Sequence, residues 1–254
     1  MRTMISSFNT THWPHTTVAQ IVTEQHRAAD VFRQLGINYC CSGNVSLAEA
    51  CGHKGLRTNE VLKQLVAACR PVLLPPNMAY NKWSLHFLAD HITHVHHGFL
   101  KNTLPQLGTA LQRFATGHVK KWPQGAQVID LFVQVSQIVQ VQMRYEEGSL
   151  FPYIKQIERA QQGNEAYGCL LVKTLRKPLL EENNAALETA LLALRNLTQQ
   201  YTPEGKACTN HTVLFKQLKE LDDDLVQHKH LENDILFSRA AGVEQQLIGT
   251  AEVH

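Results

Sequence analysis

From Thr17 onward, Val18, Ile21, Val22, Ala29, Val31, Phe32 and Leu35 recur at helical spacing and stop at Gly36. That pattern predicts an amphipathic helical stretch closed by a residue suited to leaving a helix. Ser46, with Glu49 three residues on, has the reciprocal N-cap pattern of a short helix. Thr58 opens another helix that runs to Cys69. Four longer stretches of the same period follow, over about residues 85–113, 126–161, 178–200 and 209–241. Pro178 suits a first helical turn, where its missing N–H costs nothing. Trp122-Pro123-Gln124-Gly125 and Pro203-Glu204-Gly205 are breaks, and the proline sites at Pro71 and Pro75-Pro76 read as a linker. No stretch alternates as a strand would. The expected class is all-α: a small helical, cysteine-bearing domain over residues 16–70, then an up-down four-helix bundle over 80–242. Residues 1–15, polar and broken by Pro14, read as a loose leader.

Composition narrows the function. With 24 basic and 22 acidic residues the formal net charge is +2, which gives no electrostatic case for nucleic acid or an anionic membrane as partner. No apolar run approaches the roughly 20 residues that span a bilayer, and the first residues lack the apolar segment of a secretory signal. A cytoplasmic protein is the expectation. The six cysteines, at 40, 41, 51, 69, 169 and 208, are too irregular for a secreted disulfide framework. Glycine-rich phosphate loops, CxxC zinc spacing and nucleophile motifs are lacking, so hydrolytic or nucleotide-dependent chemistry is not expected. Fourteen histidines, more than half the count of Lys and Arg, point instead to metal or proton work.

The spacings say where. His228 and Glu232 lie one helical turn apart and share a stripe with Leu221, Leu225 and Ile235. An imidazole and a carboxylate in a core stripe need a partner or a metal. Gln142 and Glu146 repeat the spacing with an amide in place of the imidazole. Each glutamate is followed five residues later by a phenylalanine, Phe151 or Phe237, so two helices present equivalent carboxylates to one centre. Carboxylates with imidazoles suit iron. His91, His94, His96 and His97 form a further column. Helical geometry does not let His96 and His97 both point inward, and His91 and His96 are assigned to the solvated side. The run Asp222-Asp223-Asp224 is likewise assigned to solvent.

Together these residues resemble the bacterial iron–sulfur cluster repair di-iron proteins (RIC family, ScdA/YtfE-like). The resemblance covers about residues 16–240. It rests on Val31-Phe32, the run Leu35-Gly36-Ile37-Asn38-Tyr39-Cys40-Cys41-Ser42-Gly43, Ser46-Leu47 and Ala50. At the other end it rests on His228, Leu231-Glu232-Asn233 and Leu236-Phe237. The resemblance implies a hemerythrin-like bundle with two irons, and a role in restoring clusters damaged by nitric oxide or oxidants, as an iron source and without being an enzyme in the usual sense. The partners implied are damaged iron–sulfur proteins, and the layout permits a homodimer.

Carried over residue by residue, His97, Glu146, His228 and Glu232 fall on ligand positions and His118 matches a further histidine. Gln142 and Asn184 stand where the family has imidazoles, as weakened ligand positions, and His94 offers a substitute one turn from His97. The sequence leaves a di-iron site, a single-iron site and a lost site open. Cys40 and Cys41 match the family's thiol pair, read either as acceptors of iron, sulfur or nitrosyl groups or as a buried structural pair. Two other functions stay open: a hemerythrin-like module that binds or senses O2 or nitric oxide, and a metal-free paralogue acting through protein contacts.

Overall fold

The computed structural model describes residues 10–39, 43–69, 78–163, 178–203, 205 and 207–251. Among these the chain is all-α, with eight helices and no strand. The helices are α1 (Val18–Glu24), α2 (Ala28–Gln34), α3 (Leu47–His53), α4 (Thr58–Cys69), α5 (Leu85–His91, Ile92–His97 and Gly98–Gly117), α6 (Gly125–Tyr145, Glu146–Leu150 and Phe151–Gln161), α7 (Pro178–Leu197) and α8 (Thr209–Lys229, His230–Phe237 and Ser238–Ala251). In α5, α6 and α8 the middle piece is a π-helical turn, wider than the α-helix on either side.

The chain divides into two compact units, one of residues 1–75 with 201–218 and the other of residues 76–200 with 219–254. In the first unit the stretch predicted as one helical region is two helices, α1 and α2, and Gly36 leaves the second with a left-handed φ of 66°. Capping explains the starts. Thr17 and Gln20 exchange bonds at the head of α1, and Ser46 and Glu49 do the same at the head of α3. The core holds Val18, Ile21, Phe32, Leu47, Val61 and Leu65. Each such aliphatic or aromatic side chain contributes about 1.5–3 kcal/mol by leaving water. Trp13 belongs to this core, so the expected loose leader is ordered there from at least residue 10, because a large indole has apolar surface to bury. Residues 201–218, which the sequence reading places with the bundle, group with this unit. Val213 sits in its core, and Asn210 accepts from the Tyr39 hydroxyl at 3.0 Å.

The second unit contains α5, α6, α7 and α8 from Lys219 on. The start of α5 meets the end of α6, where the Glu158 carboxylate accepts from the backbone N–H of Leu85 at 2.7 Å and of His86 at 2.8 Å. The pairs Leu85–Glu158 and His97–Glu147 set α5 and α6 in opposite directions, and Asn184–Asn233 with Arg195–Asp222 does the same for α7 and α8. Leu85, Leu88, Ile92, Leu150, Phe151, Ile154, Ile157, Leu231 and Leu236 pack together on one side of the π turns. On the other, Leu100, Leu104, Leu107, Leu111, Val128, Phe132, Val135 and Val139 are buried along α5 and α6.

Candidate metal centre

Between those two apolar zones lie four buried groups: His97 from α5, Glu146 from α6, and His228 and Glu232 from α8. A possible ligand atom of each lies within 4.8 Å of the others. The imidazoles face one another, Nε2 to Nε2, at 3.2 Å. Glu232 Oε1 is 2.8 Å from His228 Nε2 and 3.9 Å from His97 Nε2, and Glu146 Oε2 is 3.4 Å from His97 Nε2. His97, Glu146 and Glu232 are 0% exposed and His228 is 3% exposed.

The π turns supply this convergence. His97 ends one, Glu146 starts another, and Glu232 lies within the third. A wider turn changes which side chains share a face, and it corrects the reading of the histidine column. His96 and His97, neighbours in the chain, are both buried. His96 Nδ1 is 2.9 Å from Asp224 Oδ1, and its ring stacks on His228 with centroids 5.5 Å apart. His91 is half-buried, 5.1 Å edge-on from the Trp83 ring. The aspartate run is corrected too. Asp222 is buried and held by Arg195 through two bonds of 2.6 and 2.7 Å, Asp224 supports His96, and only Asp223 faces solvent.

Outer partners orient the cluster. His97 Nδ1 is 2.7 Å from Glu147 Oε1, and Lys101 donates to both oxygens of Glu147 at 2.7 and 2.8 Å. A histidine that gives one nitrogen to a carboxylate turns the other toward a metal. Gln142 Nε2 donates to Glu146 Oε1 at 2.8 Å and approaches Asn184 Oδ1 at 3.5 Å. Asn184 in turn reaches Asn233 Oδ1 at 3.4 Å. Lys229, which sequence reasoning passed over, donates to Glu232 Oε2 at 3.0 Å. Its position beside His228 was visible, but its aim back at the carboxylate three residues on was not.

The other predicted positions fall elsewhere. His118 caps the far end of α5, stacked on Phe114 at 4.1 Å with Nδ1 2.9 Å from the Phe114 carbonyl. About 30 Å of helical rise separates it from His97, so it is no part of the cluster. His94 is exposed and bonded to the Asp90 carbonyl, and offers no substitute ligand. Cys40 and Cys41 lie outside the described residues. Cys51 and Cys69 are buried free thiols, and burial pushes the Cys69 thiol up to about 11.

The electrostatics follow from taking two carboxylates and two imidazoles out of water together. Burial and the charge of Glu232 push the Glu146 carboxyl up. Burial acts the same way on Glu232, but His228 and Lys229 outweigh it and hold that carboxyl well below its usual range. Burial alone would lower His97, yet Glu146, Glu232 and Glu147 raise it to about 9. Glu146 Oε2 and His228 Nδ1 are buried with no hydrogen bond. A cation among the two Nε2 atoms, Glu146 Oε2 and Glu232 Oε1 would complete the orphaned carboxylate oxygen. Two imidazoles with two carboxylates suit a borderline divalent ion such as ferrous iron, so the residues present fit a metal.

The fold and the site thus define an all-α protein with a buried two-histidine, two-glutamate cluster in a bundle of long helices. Residues 14–69 match the ScdA_N family, described as a domain of unknown function (DUF542). Over most of its length the chain is similar to proteins named for iron–sulfur cluster repair. Against the iron–sulfur cluster repair protein ScdA of Staphylococcus haemolyticus it is 26% identical over 222 residues, 87% of this chain and 96% of that one. Against a probable iron–sulfur cluster repair protein of Haemophilus influenzae it is 29% identical over 216 residues, 84% of this chain and 90% of the other. The repair protein YtfE of Escherichia coli O81 is 28% identical over 218 residues, 86% of this chain and 93% of that protein. The resemblance read from the sequence therefore stands. No helix among the described residues is long and apolar enough to cross a membrane.

Proposed function

We propose that this chain binds iron at His97, Glu146, His228 and Glu232 and serves the repair of iron–sulfur clusters as a donor of that iron. The observation that carries the reading is the convergence of these four buried donors from three helices. A fully buried pair of carboxylates is costly unless a cation accompanies it. The names and extent of the similar proteins supply the biological direction. Four protein ligands and no thiolate favour a site that holds ferrous iron yet can yield it. Glu147 and Lys101 fix the imidazole of His97, so the chain's own part is to keep the donor set assembled and dry.

The test loads the protein with ferrous iron anaerobically and removes the excess. The loaded protein is then mixed with an iron–sulfur protein whose cluster nitric oxide has broken, with sulfide supplied. Recovery of the client's visible absorption, with loss of iron from this chain, is expected. Failure to bind iron, or recovery no faster than with the same amount of free ferrous iron, overturns the reading.

A further inference from the structure

The oxygens of the two site carboxylates divide into two sets. Glu146 Oε2 and Glu232 Oε1 face the imidazole pair, at 3.4 Å from His97 Nε2 and 2.8 Å from His228 Nε2 respectively. The other two, Glu146 Oε1 and Glu232 Oε2, are the atoms a second ion would need if the carboxylates were to bridge a pair about 3.5–4 Å apart. Both are already engaged by N–H donors. Gln142 Nε2 holds Glu146 Oε1 at 2.8 Å, and Lys229 Nζ holds Glu232 Oε2 at 3.0 Å.

We infer that Lys229 and Gln142 together occupy the place of a second metal, so that the site takes one ion per chain. Three observations meet here. The Lys229 ammonium supplies the positive charge that a second cation would bring, as a compact point charge on a flexible stem. It is part of the site's charge balance, acting on both Glu146 and Glu232. Its side chain is only 17% exposed, so its charge is little screened by water. Next, the nitrogen that Gln142 turns toward Glu146 is an amide N–H donor, with no lone pair to offer a metal. Last, Asn184 and Gln142 approach each other across α6 and α7 at 3.5 Å, with the amide oxygen of Asn184 directed at Gln142. The side of the site away from the imidazoles is therefore a hydrogen-bonded polar contact closed by the Lys229 ammonium.

This inference rests on the metal-binding reading above, and the experiment separates the two. Full-length protein is loaded anaerobically with ferrous iron, and separately with manganous ion, desalted, and assayed for metal per chain by elemental analysis. Electron paramagnetic resonance of the manganese form distinguishes isolated ions from coupled pairs. The wild type should hold one ion per chain with the spectrum of an isolated ion. A Gln142→His, Asn184→His, Lys229→Met variant should approach two per chain, with a coupled spectrum. Should that variant fail to fold by circular dichroism, Lys229→Met alone decides, and it should tighten binding of a second ion at least about tenfold by removing a like charge. Two ions in the wild type, or no tightening in a folded Lys229→Met protein, overturns the inference and leaves iron binding standing. No metal in the folded wild type overturns both.

Discussion

Glu147 Oε1 lies 2.7 Å from His97 Nδ1, and this contact decides which nitrogen of the imidazole faces the cluster. Glu147 belongs to the same π turn as Glu146, so one wide turn supplies both a carboxylate of the site and the anchor of a histidine across from it. Glu147→Gln keeps all four cluster residues but weakens the hold on the ring. Metal affinity should fall about 10–100-fold, as for other carboxylates behind metal-bound histidines. Competitive titration against a chelator of known affinity checks this, and an unchanged affinity would show that the ring is held instead by its stacking on Phe151, with centroids 5.6 Å apart.

Glu146→Gln should act in opposite directions on two properties. It removes metal binding at the cluster, seen by elemental analysis. It also relieves the burial of one carboxylate beside another, so the metal-free variant should unfold at a higher temperature than metal-free wild type, by roughly 1 kcal/mol or more in stability. A lower melting temperature would mean that the Gln142 bond to Glu146 outweighs the repulsion.

Metal should stabilise the wild type in proportion to occupancy. At a free ion concentration 100 times the dissociation constant, the gain is about 2.7 kcal/mol. Thermal unfolding with and without ferrous iron reads it, and the Glu146→Ala, Glu232→Ala variant should show no gain.

The Glu158 carboxylate receives the first N–H groups of α5, with Ser84 accepting from Phe87 at 3.1 Å. Glu158→Ala should cost about 0.5–2 kcal/mol, the range for loss of a helix cap. Ser84→Ala should cost less than the double variant, and denaturant unfolding of the three proteins would show it.

Partial burial works against the charge on Asp90, but Lys155, with His86 and His94, outweighs it and holds the carboxyl below its usual range. A lowered carboxyl contributes stability above its unfolded-state pKa of about 4 and loses it as pH falls through the folded-state value. Asp90→Asn should therefore destabilise at pH 7 by up to about 1 kcal/mol, since the group is half-exposed. The two proteins should converge as the pH drops below about 4. A gap that persists in acid would assign the effect to packing.

Gly43 faces the Tyr39 carbonyl so closely that a Cβ there would lie 2.1 Å from the oxygen, and the Ala19 Cβ closes the other side at 2.8 Å. Gly43→Ala should destabilise the N-terminal unit by at least about 1–3 kcal/mol, measured as faster proteolysis within that unit at unchanged metal content.

How far the sequence revealed this structure depended on how local the cause was. The Ser46–Glu49 capping box and the four long helices followed from spacing alone, because neighbours along the chain create them. The stripe through Leu221, Leu225, His228 and Glu232 was also legible. His96 was not, since its burial depends on a π turn and on Asp224 from another helix. Asp222 reads as solvated in a run of three acids until Arg195 is found against it. His118 shows the converse: a histidine matched through the family resemblance, placed by the fold at the end of α5 far from the cluster.

The three π turns also bear on counting. An α-helix keeps one face toward the core only while its residues advance at a fixed angle, and a wider turn delays that advance. In α5, α6 and α8 the apolar residues before and after the cluster therefore follow two separate phases, with the ligands where the phase slips. Helix α7 keeps a single phase throughout, and it is the one whose residue at the cluster, Asn184, carries no charge. Deleting one residue from any of the three wide turns would merge its two phases into one. The helix would become more regular, and the half beyond the deletion would turn a different face to its neighbours.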